Sequence, residues 1–319
     1  MHILIWLPLV IPAVTAAVTR PLADRLPPRT ATCLLAGSAV ILAGASCGVL
    51  GLLALAAAMR IPVVDALAGT SLRTVNSIDP ASIPLGALAG ALLAAAAAAA
   101  LRAGWLRTAA LVAAHRHARR LPRTGHEYGA EAVVVQDDSV DAYTVPGWPS
   151  RIVVTSGMLA ALTPAERDVL LAHERVHAGS FHYLFTALAR LAAAANPLLI
   201  PLATATGYCV ERWADEKAAV SAGSRPLVAR AIAKAALAAA AAPTVRTPSA
   251  VLLGALPRPG SGGRPGLVPR RVAALLAPPP RFRFVPLALA VALVAVAGLS
   301  ALEAARDLHA MIEFAQSAP

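Results

Sequence analysis

Four charge-free stretches of this chain, residues 1–19, 30–59, 80–101 and 284–302, are candidate membrane spans. A fifth, 191–210, is interrupted by Asn196, two prolines and threonines, so that packing under the membrane is as good a reading of it as entering the bilayer. A helix needs about 20 apolar residues to cross the hydrocarbon core of a bilayer. The runs therefore predict four transmembrane helices, near 3–19, 34–58, 83–104 and 284–303. Composition agrees, since the 319 residues are 58% hydrophobic and only 14% charged. A soluble domain is about a quarter charged and under half apolar, so this much apolar surface cannot all hide in one or two cores. Part of it faces lipid.

Charge placement sets the orientation. The first run lacks a basic leader and is followed by Arg20, Arg25 and Arg29, the order of an uncleaved anchor with its N-terminus outside. Between the second and third runs, Arg60 and Arg73 balance Asp65 and Asp79, whereas the third leads into Arg107, Arg116, Arg119, Arg120 and Arg123. Its far end is therefore cytoplasmic. The tail returns outside, with Glu303, Asp307 and Glu313 against Arg306. Of the 28 basic residues only Lys217 and Lys234 are lysines, which with the alanine runs suggests a GC-rich bacterial genome and a bacterial inner (plasma) membrane. The formal charge of +11 then reports topology. Direct nucleic-acid binding is not expected, because the arginines are spread through loops without interleaved aromatics. Cys33, Cys47 and Cys209 show no paired spacing, and predict neither a disulfide framework nor a Cys-ligated metal.

The chain divides into four parts. Residues 1–123 hold three membrane helices and a basic juxtamembrane segment. Residues 124–242, where acids appear and apolar runs shorten, form a small α+β cytoplasmic domain. Residues 243–283, rich in Pro, Gly and Arg, read as a flexible linker, and 284–319 hold the last membrane helix and a short tail. Within the second part, the segments around 131–137 and 151–156 are β-branched strands of a sheet of two to four strands. The second of these is a candidate edge for an extended substrate. Thr163-Pro164-Ala165-Glu166 is a capping box with Pro at the first helical position, starting a helix that runs to about Gly179. Residues 181–222 are mostly helical, broken at Asn196-Pro197 and Pro201, and 226–242 is an Ala-rich helix.

The capped helix carries His173-Glu174-Arg175-Val176-His177. Histidines at i and i+4 share one face, so both imidazoles reach a single zinc ion while Glu174 reaches the water activated beside it. At this chain's own His and Glu frequencies such a motif is expected only about 0.005 times. The third ligand is restricted by scarcity: between Arg175 and Leu302 the only carboxylates are Glu211, Asp215 and Glu216. Glu211 and Asp215 lie one turn apart on a common face. Glu211 is the economical ligand, with Asp215 behind it fixing a histidine tautomer. The competing reading pairs the two acids with Arg212 or Lys217 on a solvated surface. His182, five residues past His177, falls off the ligand face and reads as an interfacial or surface residue. The oxyanion donor is open among Tyr143, Tyr183 and Arg212. The helix also holds Glu166, Arg167, Asp168 and Arg175, too costly for lipid, so the site is aqueous and, by the charge argument, cytoplasmic.

HExxH on a helix, Asn196-Pro197 after an apolar stretch and Glu211-x-x-x-Asp215-Glu216, set between three preceding membrane helices and one following, resemble the BlaR/MecR antirepressor metallopeptidases. More loosely they resemble the HtpX-type membrane proteases. The resemblance implies a minimal gluzincin fold with one zinc per chain, cutting a cytoplasmic protein such as a winged-helix repressor, or cutting the chain itself within 243–283. A BlaR-type receptor continues into a penicillin-binding sensor domain, and no Ser-x-x-Lys domain follows the last helix here, so β-lactam sensing is not implied. The other readings are a quality-control protease of membrane proteins and a non-catalytic membrane scaffold that holds a metal.

Overall fold

A computed structural model of the chain describes residues 6–59, 83–120, 132–147, 149–241, 266–279 and 284–317. It is mostly helical with one small sheet. Helix α1 (Leu7–Arg25) and α2 (Pro28–Ala58) form an antiparallel pair joined at Leu26-Pro27, where proline prevents the helix from continuing. Helix α3 (Ile83–Arg120) packs on α2. Among the described residues α2 and α3 are long and apolar enough to cross a membrane. Only 17% of the apolar window of α3 is buried, and Leu88, Leu92, Leu101 and Trp105 are exposed. A soluble core helix would bury that face.

Helix α3 does not stop at residue 104, the expected end of the third membrane helix. Its 38 residues reach about 57 Å at 1.5 Å each, well past a hydrocarbon core of about 30 Å. Alanines such as Ala110, Ala114 and Ala118 continue the helix and its buried face through the basic segment. That extension holds the sheet. Ala114 and Ala118 pack with Tyr143, Val145 and Val153, and Arg151 Nη1 donates to the Ala118 carbonyl at 2.6 Å.

The sheet has three strands, β1 (Ala132–Val135), β2 (Ala142–Val145) and β3 (Arg151–Thr155), in the order β1-β3-β2. β1 runs parallel to β3, and β2 antiparallel, with Thr144 opposite Ile152. The expected edge at 151–156 is therefore the central strand. Ile152, Val153 and Val154 are buried, the pattern of a strand covered on both faces. β2 alternates half-buried and buried positions, as an edge strand does, and it is β2 that borders the HExxH helix.

After α4 (Ser156–Ala161) comes α5 (Pro164–Gly179), the HExxH helix, with the capping box in place and the Glu166 carboxylate accepting from the Thr163 N–H at 2.9 Å. α6 (His182–Ala195), a single 3₁₀ turn (Pro197–Leu199), α7 (Ile200–Ala222) and α8 (Arg225–Ala241) follow. Pro201 does not break the chain, because it occupies the first turn of α7, where its missing N–H costs no bond. Asn196 caps the 3₁₀ turn by accepting from Leu198 N and also donates to Ser46 of α2, 3.1 Å in each case. The uncharged stretch 191–210 is thus laid against α1 and α2, where Leu199, Leu202, Ala205 and Cys209 share one core with Leu26, Leu35 and Leu42.

The presumed linker contains a further helix, α9 (Leu267–Leu276). Its apolar residues Leu267, Val268, Val272 and Leu275 fall at helical spacing, and Leu275 is buried with Val169, Ala218 and Val228. Prolines and arginines masked that stripe in the sequence. Of the proposed self-cleavage region, residues 243–265 and 280–283 lie outside the described residues. α10 (Phe284–Ser317) closes the chain against α1 and α2.

Candidate metal centre

Two elements build the centre. α5 presents His173 and His177 on one face, and α7, packed against it, presents Glu211 and Asp215 one turn apart. The two Nε2 atoms stand 3.0 Å apart. Glu211 Oε2 lies 3.5 Å from that of His173, and Oε1 lies 3.7 Å from that of His177. His173, His177 and Glu211 offer one ligand atom each, all within 4.8 Å of one another. Two nitrogens each about 2.0–2.1 Å from one tetrahedral zinc would be roughly 3.3 Å apart, so the donor set fits. Charge fits as well: Glu174, Glu211 and Asp215 against Arg271 leave two net negative charges, the complement of a divalent cation.

Asp215 stands behind the first histidine, its Oδ1 2.9 Å from His173 Nδ1, which leaves Nε2 facing the cluster. Burial pushes the His173 imidazole down, but Asp215 and Glu211 more than offset it and hold its pKa at about 10. The pocket attracts positive charge. Burial also opposes ionisation of Glu211, yet Arg271 and His177 keep its carboxyl well below the ordinary range. Asp215 is held low in the same way, by Arg271 and then His173. Neither acid is paired on a solvated surface with Arg212 or Lys217. Glu216, one residue on, pairs with Arg225 at 2.9 Å.

Sequence reasoning missed two residues of the site, Arg271 and Thr144, and misplaced a third, His182. Arg271, on α9, donates through Nε and Nη2 to both oxygens of Asp215 at 2.7 Å and contacts Glu211 at 2.9 Å. Its only sequence signal was the weak apolar stripe of α9. Thr144, on the edge strand, donates to Glu174 Oε2 at 2.8 Å and lies 3.0 Å from the Glu174 carbonyl, fixing the carboxylate of the HExxH glutamate. Strand alternation puts Thr144 on the α5 side and Tyr143 on the α3 side.

His182 is the third, and it corrects the expectation of an interfacial or surface side chain: it is 1% exposed. Phe181 takes a left-handed backbone, φ 54°, unusual for a bulky residue, and this turn swings His182 back under α5. Its Nδ1 lies 3.1 Å from Nδ1 of His177. A His177 ring that ligates a metal through Nε2 would carry its proton on Nδ1 and donate it to His182 Nδ1 across this contact. Burial, and then His177, hold His182 neutral, with a pKa of about 3.

Of the oxyanion candidates, Tyr143 is buried against α3. Arg212 is turned away, donating to the Ala23 carbonyl of α1 at 2.6 Å. Tyr143 and Tyr183 both line the cavity onto which the centre opens, a space of about 750 Å³ bounded by β2, α5, α6 and α7.

No curated protein and no solved structure gives a match. Residues 100–246, a little under half of the chain, match the model of Peptidase family M48, a zinc metallopeptidase family, and the matched segment holds Thr144, the HExxH helix, His182, Glu211 and Asp215.

Proposed function

We propose that this chain is a membrane-embedded zinc endopeptidase that hydrolyses peptide bonds of a cytoplasmic protein, such as a transcriptional repressor, or of itself. The observation that carries the reading is the convergence of His173, His177 and Glu211 beside a Glu174 carboxylate anchored by Thr144, at the wall of a cavity of about 750 Å³. His173, His177 and Glu211 would hold one zinc, which when bound would supply a Lewis acid for the scissile carbonyl and for water. Glu174 takes the proton from the attacking water and passes it to the leaving amine. Thr144 keeps that carboxylate aimed, Asp215 and His182 hold the two ligand rings, and Arg271 keeps the ligand Glu211 and the supporting Asp215 ionised. β2 offers its outer edge for main-chain pairing with an extended substrate.

In this reading α1 and α10 cross the bilayer with α2 and α3, and the centre faces the cytoplasm. α3 supports that placement by carrying one continuous helix from the exposed apolar face to the sheet.

The test is zinc stoichiometry combined with substrate trapping. Purified protein should hold one zinc; Glu174→Ala should keep it, lose all hydrolysis and retain the uncut substrate. Zinc surviving in a His173→Ala/His177→Ala double variant overturns the site, and hydrolysis surviving in Glu174→Ala overturns the mechanism. Cleavage of a co-encoded winged-helix repressor supports the signalling role, and indiscriminate digestion of unfolded polypeptides counts against it.

A further inference from the structure

The cavity does not end at the metal centre. It continues along α6 past Tyr183 and Thr186 to Arg190, where Arg107 of α3 joins its wall. The two helices touch here: Leu191 Cδ2 lies 3.6 Å from where a Cβ on Gly104 would stand, and Arg107 is one turn further along α3. Both arginines are half-buried, and among the described residues no carboxylate pairs with either. Burial weakens the charged state of both, and Arg190 adds like-charge repulsion on Arg107. The other arginines of this segment, Arg102, Arg116, Arg119 and Arg120, are turned outward or lie at the end of α3, where phospholipid headgroups can serve them. Arg107 and Arg190 instead face the space that serves the metal centre. Two partly desolvated cations held together without a counter-ion make a seat for an oxyanion, and guanidinium geometry favours a carboxylate bound in bidentate fashion.

We infer that Arg107 and Arg190 form a subsite for an acidic side chain of the peptide substrate, three or four residues from the scissile bond; this rests on the peptidase reading above. The spacing follows from the fold. Arg190 is eight residues beyond His182 on one helix, about 12 Å at 1.5 Å per residue, and His182 touches the metal ligand His177. An extended peptide covers that distance in three to four residues at about 3.3 Å each.

The experiment uses the full-length zinc-loaded protein in neutral detergent and a degenerate peptide library whose products are sequenced by mass spectrometry. Matched peptides with Glu or Gln at the implicated position follow. We expect Asp and Glu enriched three or four residues from the cut, and a Glu-to-Gln ratio in kcat/KM of at least about tenfold. That ratio should fall toward one in Arg107→Gln and in Arg190→Gln, and Arg190→Glu should shift the preference to Lys; loss of fold would not reverse a charge preference. Cleavage without acidic enrichment, or a preference unchanged in both Gln variants, overturns the subsite and leaves the peptidase reading intact. If no peptide is cut, the peptidase reading fails, and binding of the labelled Glu and Gln peptides by fluorescence anisotropy decides the subsite: an Arg190-dependent difference supports it and equal binding overturns it. Nanodiscs of phosphatidylglycerol or phosphatidylcholine separate a lipid role. Variants that lose anionic-lipid binding while keeping the peptide preference show that the pair serves headgroups, which overturns the proposal.

Discussion

Removing Arg271 should destabilise the metal-free protein more than the zinc-bound one. In Arg271→Met the aliphatic bulk is kept while the fork that binds Asp215 through two 2.7 Å contacts, and Glu211 through a third at 2.9 Å, is lost. The Asp215 side chain is 2% exposed and that of Arg271 12%, so solvent cannot replace the lost charge. Breaking a buried pair by removing one partner costs about 3–5 kcal/mol. The lower end applies here, because His173 stays 2.9 Å from Asp215 and offsets part of the unpaired charge. At roughly 2 °C per kcal/mol for a chain this large, the metal-free variant should melt about 6 °C below wild type. Zinc brings two positive charges to the same acids, so the gap should narrow to a degree or two when metal is saturating. Thermal melts in detergent, with and without chelator, measure both values. Arg271→Lys keeps the charge without the fork and should recover part of the loss. Arg271→Met/Asp215→Asn, which removes the orphaned charge as well, should melt above Arg271→Met alone. An Arg271→Met melt equal to wild type in chelator, or a double variant whose losses simply add, would refute the reasoning.

His182→Ala should leave the His177 Nδ1–H without its acceptor and lower zinc affinity about 10–100-fold, read by competition with a chromogenic chelator; His182→Asn, which restores an acceptor, should recover part of it. Gly86→Ala should loosen the contact of α3 with α2 by about 1–3 kcal/mol, since the new methyl meets Ala57 Cβ and comes within 2.9 Å of the Leu53 carbonyl; lowered thermal stability with unchanged zinc content is the expected readout. Glu166 links stability to acid. The Thr163 N–H, reinforced by Lys234, depresses its pKa from 4.5 to about 2, so its contribution is fully present above pH 4.5 and disappears as pH falls through about 2. The difference in melting temperature between wild type and Glu166→Gln should be constant from pH 7 to 5 and close below that.

The parts of this molecule legible in the sequence are those in which a local pattern has one physical solution. Thr163, Pro164 and Glu166 fix where α5 begins, and the i, i+4 spacing of His173 and His177 then fixes which face carries the imidazoles. The scarcity of carboxylates did as much for α7: with so few acids after Arg175, Glu211 and Asp215 had little competition, and the structure brings both to the histidines. Illegible were the contacts made across long sequence separations. Which strand lies at the edge depends on pairing partners, and the continuous apolar run that marked 151–156 as a strand is the mark of a central one. His182 was misplaced because the helical wheel was extended through residue 181, where the left-handed Phe181 resets the phase. Arg271 was dismissed with its linker because four apolar positions among prolines and arginines are too few to define a helix until α7 and α8 supply the surface they cover. Arg107 reads in sequence as one more member of a positive-inside cluster, and only the packing of α3 on α6 turns it inward. Arg107 thus gives the same charge signal in the sequence as its neighbours on the helix, and what sets it apart is its place beside Arg190 on the wall of the cavity.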